Sequence, residues 1–590
     1  MKARVILLSG LCSLLAVAGD PADEHTKSAT KDESVLHVET RLVEVNVVAQ
    51  DSKGNAITDL TRDDFTLFDN GKKVPIDVFS AISVETAPTA PTLPPNTFTN
   101  RIGGRRAPSN VTVILLDGLN TRVEDQTWAR AEVVSFLEKL QPQDRVAIYL
   151  LGEHLYILQD FTSNPKILLE ILKKAKSRPS KELAGSAGLD ATPGAARSVD
   201  LETALEQVAG ASGSGAGSTG PNTTGLQLGA AASVQAAEEA IFASFEQHEG
   251  SFFVVDRVGR TLDALTAIAN HLAEFAGRKN LIWVSGSFPV AIGFDQPRQP
   301  GDTRDQLSFG PEVQRATRAL NNADFAIYPV DARGLIAGYV SDGLTSIAGR
   351  GAAIGAQGNA GEGGLKNPEE VYSNQGTMTD LADHTGGRAF FNTNDLAVPM
   401  RRAVDDSRAD YTLGFYPHIR WDGAYHELKA KVNRPGVHLR YRRGYYASLG
   451  PTTTVDQTTA SLSRAIVSPL DSTGVGLTVS IEQRVEKPAR RLKLRITADA
   501  RNLTFQDKKG GKAASLDFIF AQLDTEGKVV SDVRHTVSLG VAEKGIDVVM
   551  ERGLSMNDLL EVTPGATQLR RVVRDTASGN MGSVTVPLGP

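Results

Sequence analysis

Hydrophobic residues follow two different patterns along the chain, and each pattern predicts its own kind of element. Between about residues 108 and 408, short continuous apolar runs alternate with segments in which apolar residues recur at helical spacing. A continuous run is typical of a parallel strand buried on both faces, so the alternation predicts a doubly wound α/β sheet. The predicted strands are Val111 to Leu116, Arg145 to Leu151, Leu155 to Phe161, Asn280 to Val284, Phe325 to Val330 and Arg388 to Phe391.

Strict alternation of apolar and polar residues predicts β modules on either side of this block. A proline-rich stretch between the first module and the block has little apolar periodicity, which is typical of a linker. After the last module, strands and turns alone are expected. The predicted domains are a small β module at 35–85, a linker at 86–107, the doubly wound domain at 108–408, an appended β-meander at 409–448 and a C-terminal β-sandwich at 474–590.

Glycine is unusually frequent, with 55 residues in the chain. Many of them lie in the stretch 180–230, which is also rich in alanine and serine. Such a segment cannot bury enough apolar surface to offset the chain entropy lost on folding. It is therefore predicted to be a mobile insertion within the doubly wound domain.

The start of the chain predicts export. Two basic residues precede an apolar run, and Ala16-Val17-Ala18 fits a small-residue cleavage site, so residues 1–18 are predicted to be a signal peptide. The one cysteine, Cys12, lies within this segment, so the exported chain would form no disulfide. No later apolar stretch is long enough to cross a membrane, and a periplasmic or cell-surface location is expected.

Charge and motifs argue against several function classes. The net charge of −6 and the absence of a basic stripe make nucleic acid an unexpected partner. His248-Glu249 is not followed by the second histidine of a helical zinc site, and neither a P-loop nor a G-x-S-x-G motif occurs. The sequence therefore predicts a protein that is not an enzyme.

Five separated motifs occur in an order that resembles one known family. They are VTVILLDGLNT, GRKNLIWVSGSFP, ADFAIYPVDARGL, TGGRAFFNTNDL and YTLGFYPHIRWDGAYHELKAKVNRPGVHLRYRRGYYA. Over about residues 35–450 the chain resembles the VWFA-related domain family described from acidobacteria. The resemblance implies a von Willebrand factor A-type, Rossmann-like central sheet. It implies no firmly assigned activity.

The resemblance also implies a metal site. A von Willebrand A domain binds Mg²⁺ at the carboxyl edge of its sheet through a D-x-S-x-S motif, a threonine and a late aspartate, all of them hard oxygen ligands. Asp117 matches the first carboxylate, and Thr121 keeps the hydroxyl of the second serine. Thr261 is the candidate loop threonine, with Thr162 as a competing candidate. The resemblance therefore implies Mg²⁺, held by Asp117, Thr121 and Thr261, as a possible cofactor.

Other positions of the motif have lost their oxygen. Leu119 replaces the first serine, and Gly286 replaces the late aspartate. The implied metal-dependent adhesion site is therefore degenerate. In the alternative interpretation, Asp117, Asn120 and Thr121 only cap the end of a strand or the helix that follows.

These observations lead to a hypothesis about function. We expect an exported bacterial protein that is not an enzyme and that binds another protein, in the manner of an adhesion module, through its A-type domain. A structural or assembly component of a cell-envelope complex is the alternative, and a hydrolase with an unrecognised site is a third possibility. A basic strand, with Arg440, Arg442 and Arg443 beside several tyrosines, is expected to be a solvated sheet face rather than a contact for glycan or an acidic protein.

Overall fold

A computed structural model describes most of the chain after residue 41. The described residues are 42–81, 93–101, 111–185, 252–275, 277–286, 288, 310–335, 368–406, 410–417, 419, 421–448, 455–485, 490–508 and 510–589. The predicted signal peptide and most of the predicted insertion lie outside them. No helix in these ranges is long and apolar enough to cross a membrane.

The described residues form the strands and helices below, together with short 3-10 turns. The strands are β1 (Val43–Gln50), β2 (Phe65–Asp69), β3 (Lys72–Val74), β4 (Val78–Ala81), β5 (Thr97–Thr99), β6 (Val111–Asp117), β7 (Arg145–Leu151), β8 (Leu155–Thr162), β9 (Lys279–Ser285), β10 (Phe325–Asp331), β11 (Asp410–Phe415), β12 (Asp422–Val432), β13 (His438–Arg440), β14 (Gly444–Ser448), β15 (Leu477–Val485), β16 (Arg491–Ala498), β17 (Gln506–Lys508), β18 (Gly511–Leu523), β19 (Val529–Ala542), β20 (Leu554–Glu561), β21 (Gln568–Asp575) and β22 (Met581–Pro587). The helices are α1 (Val123–Glu138), α2 (Pro165–Lys174), α3 (Lys181–Gly185), α4 (252–271), α5 (Gly310–Asn322), α6 (Pro368–Thr385), α7 (Ala397–Asp406), α8 (Val455–Val467) and α9 (Ile546–Arg552).

The chain has a mixed α/β architecture in which a largely parallel sheet is accompanied by antiparallel sheets. The central sheet has the order β10-β9-β6-β7-β8 in the described part of the chain. The strands β10, β9, β6 and β7 run parallel. Helices α1, α2 and α7 pack on one face, and α4, α5 and α6 pack on the other. The apolar runs in the sequence are continuous because both faces of these strands are covered.

The strand β8 differs from its prediction. It was expected to be a third buried strand of the βα alternation, but it pairs antiparallel with β7 at the edge of the sheet. Only the residues 152–154 separate the two strands, and so short a turn can join antiparallel strands but not parallel ones. Leu155 is buried, whereas Tyr156 and Ile157 are exposed, as expected for an edge strand.

The first β module and the β-meander, predicted as separate units, form one sandwich. One sheet has the order β13-β1-β11-β4 and the other has the order β14-β12-β2-β3. Val45, Leu67, Leu413 and Leu428 are among the residues of their shared core. Each segment has an apolar face that must be covered, and each provides the cover for the other although the doubly wound domain separates them in sequence.

The C-terminal sandwich includes elements that were not predicted for it. Its sheets have the orders β20-β16-β15-β5 and β17-β18-β21-β22, with β19 paired to β18. The strand β5 lies within the predicted linker, where Phe98 packs against the core of this sandwich. The helix α9 also interrupts a region in which strands and turns alone were expected. A three-residue strand has too few residues to show a period, so the sequence pattern did not reveal β5.

Candidate functional site at the carboxyl edge of the central sheet

The candidate site lies where the central strands end. β6 ends at Asp117 and β9 ends at Ser285, while α4 brings Thr261 to the same place from another part of the chain. The carboxyl edge of an open α/β sheet is where such folds bind ligands. All three side chains are buried, with exposed fractions of 2%, 0% and 0% respectively. Polar groups at this depth need hydrogen-bond partners.

The carboxylate of Asp117 is held by hydrogen-bond donors of the protein. The backbone N–H of Asn120 donates to Oδ1 at 3.0 Å. The other oxygen, Oδ2, accepts from Nδ2 of Asn120, from the indole Nε1 of Trp283 and from the hydroxyl of Ser285, each at 2.9 Å. All four of these hydrogen bonds to the carboxylate of Asp117 therefore come from neutral donors.

Burial and hydrogen bonding act on this carboxyl in opposite directions. Burial raises the pKa of Asp117, because the ionised form loses its contact with water. The hydrogen bonds from Asn120, Ser285 and Trp283 lower the pKa, because they stabilise the carboxylate. The effect of burial is the larger, so the pKa of Asp117 lies above its usual value.

Asn120 connects the end of β6 to helix α4. Its Nδ2 lies 2.9 Å from Oδ2 of Asp117 and 2.8 Å from Oγ1 of Thr261. The hydroxyl of Thr261 donates in turn to the carbonyl oxygen of Arg257, one helical turn earlier, at 2.8 Å. The amide of Asn120 therefore uses both of its protons on two buried acceptors.

Thr121 and Gly286 join the two strand ends. The backbone N–H of Gly286 donates to Oγ1 of Thr121 at 2.8 Å. A β-carbon at Gly286 would lie 3.2 Å from the carbonyl oxygen of Asn120 and 3.2 Å from Cα of Thr121. The absence of a side chain at this position allows the end of β9 to pack closely on the loop after β6.

The structure places the remaining sequence candidates as follows. Thr162, the competing threonine, pairs with Val146 near the start of β7, which is the opposite edge of the sheet. Leu119 is 1% exposed and belongs to the core between the sheet and α4. The amide of Asn120 links Asp117 to Thr261.

Sequence reasoning missed three residues of the cluster. The sequence indicates Asn120 only as a cap, and it indicates no contact of Asp117 with Trp283 or Ser285. A signal for the last two existed, because W-V-S places two polar side chains two positions apart, and hence on one face, at the end of an otherwise apolar strand. This pattern does not predict that Trp283 and Ser285 contact Asp117.

The residues around Asp117 do not fit the magnesium ion that the resemblance implies. Mg²⁺ requires oxygen ligands in nearly octahedral arrangement. The groups that face this carboxylate are instead N–H and O–H donors, and the indole N–H of Trp283 has no lone pair to offer. Within the described ranges, no group of three or more His, Cys, Asp or Glu side chains is arranged to hold a metal ion.

A second buried carboxylate at the same edge is paired with an arginine. Asp331, at the end of β10, accepts from the backbone N–H of Arg333 at 2.9 Å, and from Nε and Nη2 of the same residue at 2.9 and 2.7 Å. A bidentate arginine contact of this kind is a strong form of ion pair. Here a cationic side chain, two residues later in the chain, compensates the carboxylate.

The basic strand that was expected to be a solvated face lies largely between domains. Arg440 pairs with the buried Asp406 of α7 at 2.6 Å, and Arg442 donates to the carbonyl oxygens of Glu44 and Asn321. The contacts with Asp406 and Asn321 join the first sandwich to the doubly wound domain, whereas Glu44 belongs to β1 of the sandwich itself. The physical reason is that the central domain presents carboxylate and carbonyl oxygens where the strand passes it.

Beside this junction lies a cleft of about 810 Å³. Its walls come from the end of α6 and from strands β12 and β13. The side chains in it are of both charges, and they include Asp383, His384, Arg388, Tyr425, Glu427 and Lys429. Asp383 is paired with Arg443 across the cleft.

Comparison with known proteins assigns no family to the chain. No family model matches it, and no curated protein matches it. Solved structures that align with it include an aerotolerance-related membrane protein from Bacteroides fragilis (11% identity, 50% of this chain and 98% of that chain, TM-score 0.22). They also include BatB from Bacteroides thetaiotaomicron (10% identity, 50% and 98%, TM-score 0.20) and the pilus adhesin SpaC from Lactobacillus rhamnosus GG (8% identity, 79% and 54%, TM-score 0.24). Likenesses at these TM-scores carry no argument about function.

Proposed function

We propose that the chain is an exported protein that is not an enzyme and that binds a protein partner through the carboxyl edge of an A-type domain. The A-type assignment is supported by the motifs in the sequence and by a central sheet with parallel strands and helices on both faces. The location in the periplasm or at the cell surface is supported by the predicted signal peptide.

One observation carries the proposal. The polar side chains at the carboxyl edge are buried, and they bond to one another. The hydroxyl of Ser285 donates to Asp117 and that of Thr261 donates to a helix carbonyl, so both hydroxyl protons are used within the protein. A nucleophile or a general base must reach a substrate, and Asp117, Ser285 and Thr261 are each at most 2% exposed.

The loops above the buried cluster are the surface that can contact a partner. Arg122 is exposed at the start of α1, Glu153 and His154 are exposed in the turn after β7, and Leu335 is 61% exposed after β10. These positions follow three different strands of one sheet edge. Loops held by a rigid scaffold are where binding residues concentrate in folded proteins.

The test is capture of partners from an intact envelope with variants of this edge. Arg122→Glu and Leu335→Ser change the exposed loops. Arg145→Glu makes the same charge change at the start of β7, at the opposite edge, and Val467→Ser changes an exposed apolar side chain at the end of α8.

We expect a partner that the wild type and both control variants capture alike. The two loop variants should capture at least about tenfold less of it, the effect of losing one interface anchor. The capture should persist in chelator. Equal capture by all four variants would contradict binding at this edge.

A structural or assembly role in an envelope complex is the alternative. It is favoured by the contacts that fix the central domain to both sandwiches. Besides the Arg440–Asp406 pair, the segment before β15 is bonded to the end of α4, where Thr473 donates from its backbone N–H to Asn270 at 2.9 Å. In this role, partners would co-purify with all four edge variants, and the variants that weaken the junctions would lose them instead.

A further inference from the structure

We propose that the side-chain amide of Asn120 takes the position that the resemblance gives to a cation, so that Asp117 and Thr261 are linked without a metal ion. The inference rests on the proposed A-type assignment, because that assignment makes a magnesium ion the expected occupant. It does not depend on any partner.

The amide nitrogen of Asn120 contacts two buried oxygens. Nδ2 of Asn120 bridges a carboxylate oxygen of Asp117 and the hydroxyl oxygen of Thr261 at 2.9 and 2.8 Å. These are two of the oxygen types through which the A-type motif holds its ion. The two amide protons carry partial positive charge and satisfy these acceptors in the place of the ion.

Two further donors point at the carboxylate of Asp117. The indole N–H of Trp283 and the hydroxyl of Ser285 donate to the same oxygen of Asp117. A cation at this oxygen would have to displace these protons, and the indole N–H would then be buried without an acceptor. The groups around this carboxylate are hydrogen-bond donors, whereas a metal site requires lone-pair donors around the ion.

The backbone packs closely at Gly286, and this observation is independent of the hydrogen bonds. Gly286 stands where the motif has its late aspartate, and a β-carbon there would lie 3.2 Å from backbone atoms of both Asn120 and Thr121. A side chain at this position would require the strand end and the loop to move apart by a few tenths of an ångström. The position that lacks the aspartate ligand is therefore also a position where the backbone packs closely.

Metal titration of the wild type is the first half of the test. The midpoint of thermal unfolding of the tag-free full chain should change by less than about 1 °C when millimolar Mg²⁺ or Mn²⁺ is added, because an ion that does not bind the native state does not stabilise it. A saturable rise in the midpoint of the wild type would overturn the proposal. This measurement requires no variant to fold.

The second half converts the donor into an acceptor. Asn120→Asp has nearly the same shape, but it places a second buried carboxylate beside that of Asp117, with the hydroxyl of Thr261 within reach. We expect this variant to be destabilised in chelator and to gain about 3 °C or more from Mn²⁺, with one ion bound per chain in a titration read by electron paramagnetic resonance. Asn120→Leu, which removes the donor without adding an acceptor, is the matched control and should show no response to Mn²⁺.

The outcomes separate this proposal from the proposed function. A folded Asn120→Asp chain whose stability ignores Mn²⁺ would overturn the inference. If that variant does not fold in chelator, refolding in Mn²⁺ supports the inference, and if it folds in neither condition the wild-type titration decides. Loss of partner capture by the loop variants is read in a different experiment and can fail or succeed separately.

Discussion

Replacing Asp117 tests whether the buried cluster stabilises the central domain. Asp117→Leu keeps a side chain of similar size but offers no acceptor. The backbone N–H of Asn120, its Nδ2 and the indole N–H of Trp283 would then lose their acceptor, whereas the hydroxyl of Ser285 can rotate. A buried donor left without a partner costs about 1–3 kcal/mol, so we expect a loss of at least about 3 kcal/mol in the free energy of unfolding.

The isosteric variant Asp117→Asn separates hydrogen bonding from packing. Its one amide oxygen can still accept at the position of Oδ2, so one contact is lost and the buried charge is removed. We expect a smaller loss, of about 1–2 kcal/mol. Glu138→Leu, a polar-to-apolar change at the exposed end of α1, is the control and should lie within about 0.5 kcal/mol of the wild type.

Equilibrium unfolding in urea, followed by tryptophan fluorescence, measures the effect. Of the three tryptophans in the chain, Trp128 and Trp283 lie in the central domain and Trp421 packs on the core of the first sandwich, so the fluorescence reports mainly on the central domain. Hydrogen exchange of the Trp283 indole N–H should accelerate in the leucine variant. If Asp117→Leu costs less than about 1 kcal/mol, or no more than Asp117→Asn, the hydrogen-bonded cluster is not what stabilises this edge.

Two further predictions concern packing and pH. Gly387→Ala should lower the free energy of unfolding by about 3 kcal/mol or more, because the new β-carbon would clash with a backbone carbonyl oxygen of β10. Gly376→Ala, in the middle of α6 with nothing within 4 Å of the new β-carbon, should raise the free energy of unfolding by up to about 1 kcal/mol. Urea unfolding measures both variants, and a similar loss of stability in the two would refute the steric explanation. Burial lowers the pKa of His271 below its ordinary 6.5, so the stability that this neutral ring contributes is complete above pH 6.5 and is lost as the pH falls through the folded-state pKa. Because the Nδ1 of His271 faces the carbonyl oxygen of Asp471 at 2.6 Å, this nitrogen carries the proton of the neutral ring, and His271→Asn should reduce the loss of stability between pH 7 and 5; an unchanged pH profile would contradict the assignment.

Much of the candidate site follows from local sequence, but its contacts do not. A carboxylate directly after a buried parallel strand must lie at the carboxyl edge of the sheet, so the position of Asp117 could be predicted. The choice between Thr261 and Thr162 could not, because it depends on which end of β8 lies at that edge. The role of Asn120 depends on a helix 141 positions later in the chain, and no local pattern reports that distance.

The sequence by itself determined the elements whose faces are buried in a regular period. The apolar runs of β6, β7, β9 and β10 and the alternation in β1 and β16 are visible because burial repeats along each strand. The local pattern does not indicate which strands pair with one another. The tertiary structure alone decided that β8 turns back on β7, that β1 joins β11 across the whole central domain, and that the amide of Asn120 links Asp117 to Thr261, because each of these depends on how separate segments of the chain pack together.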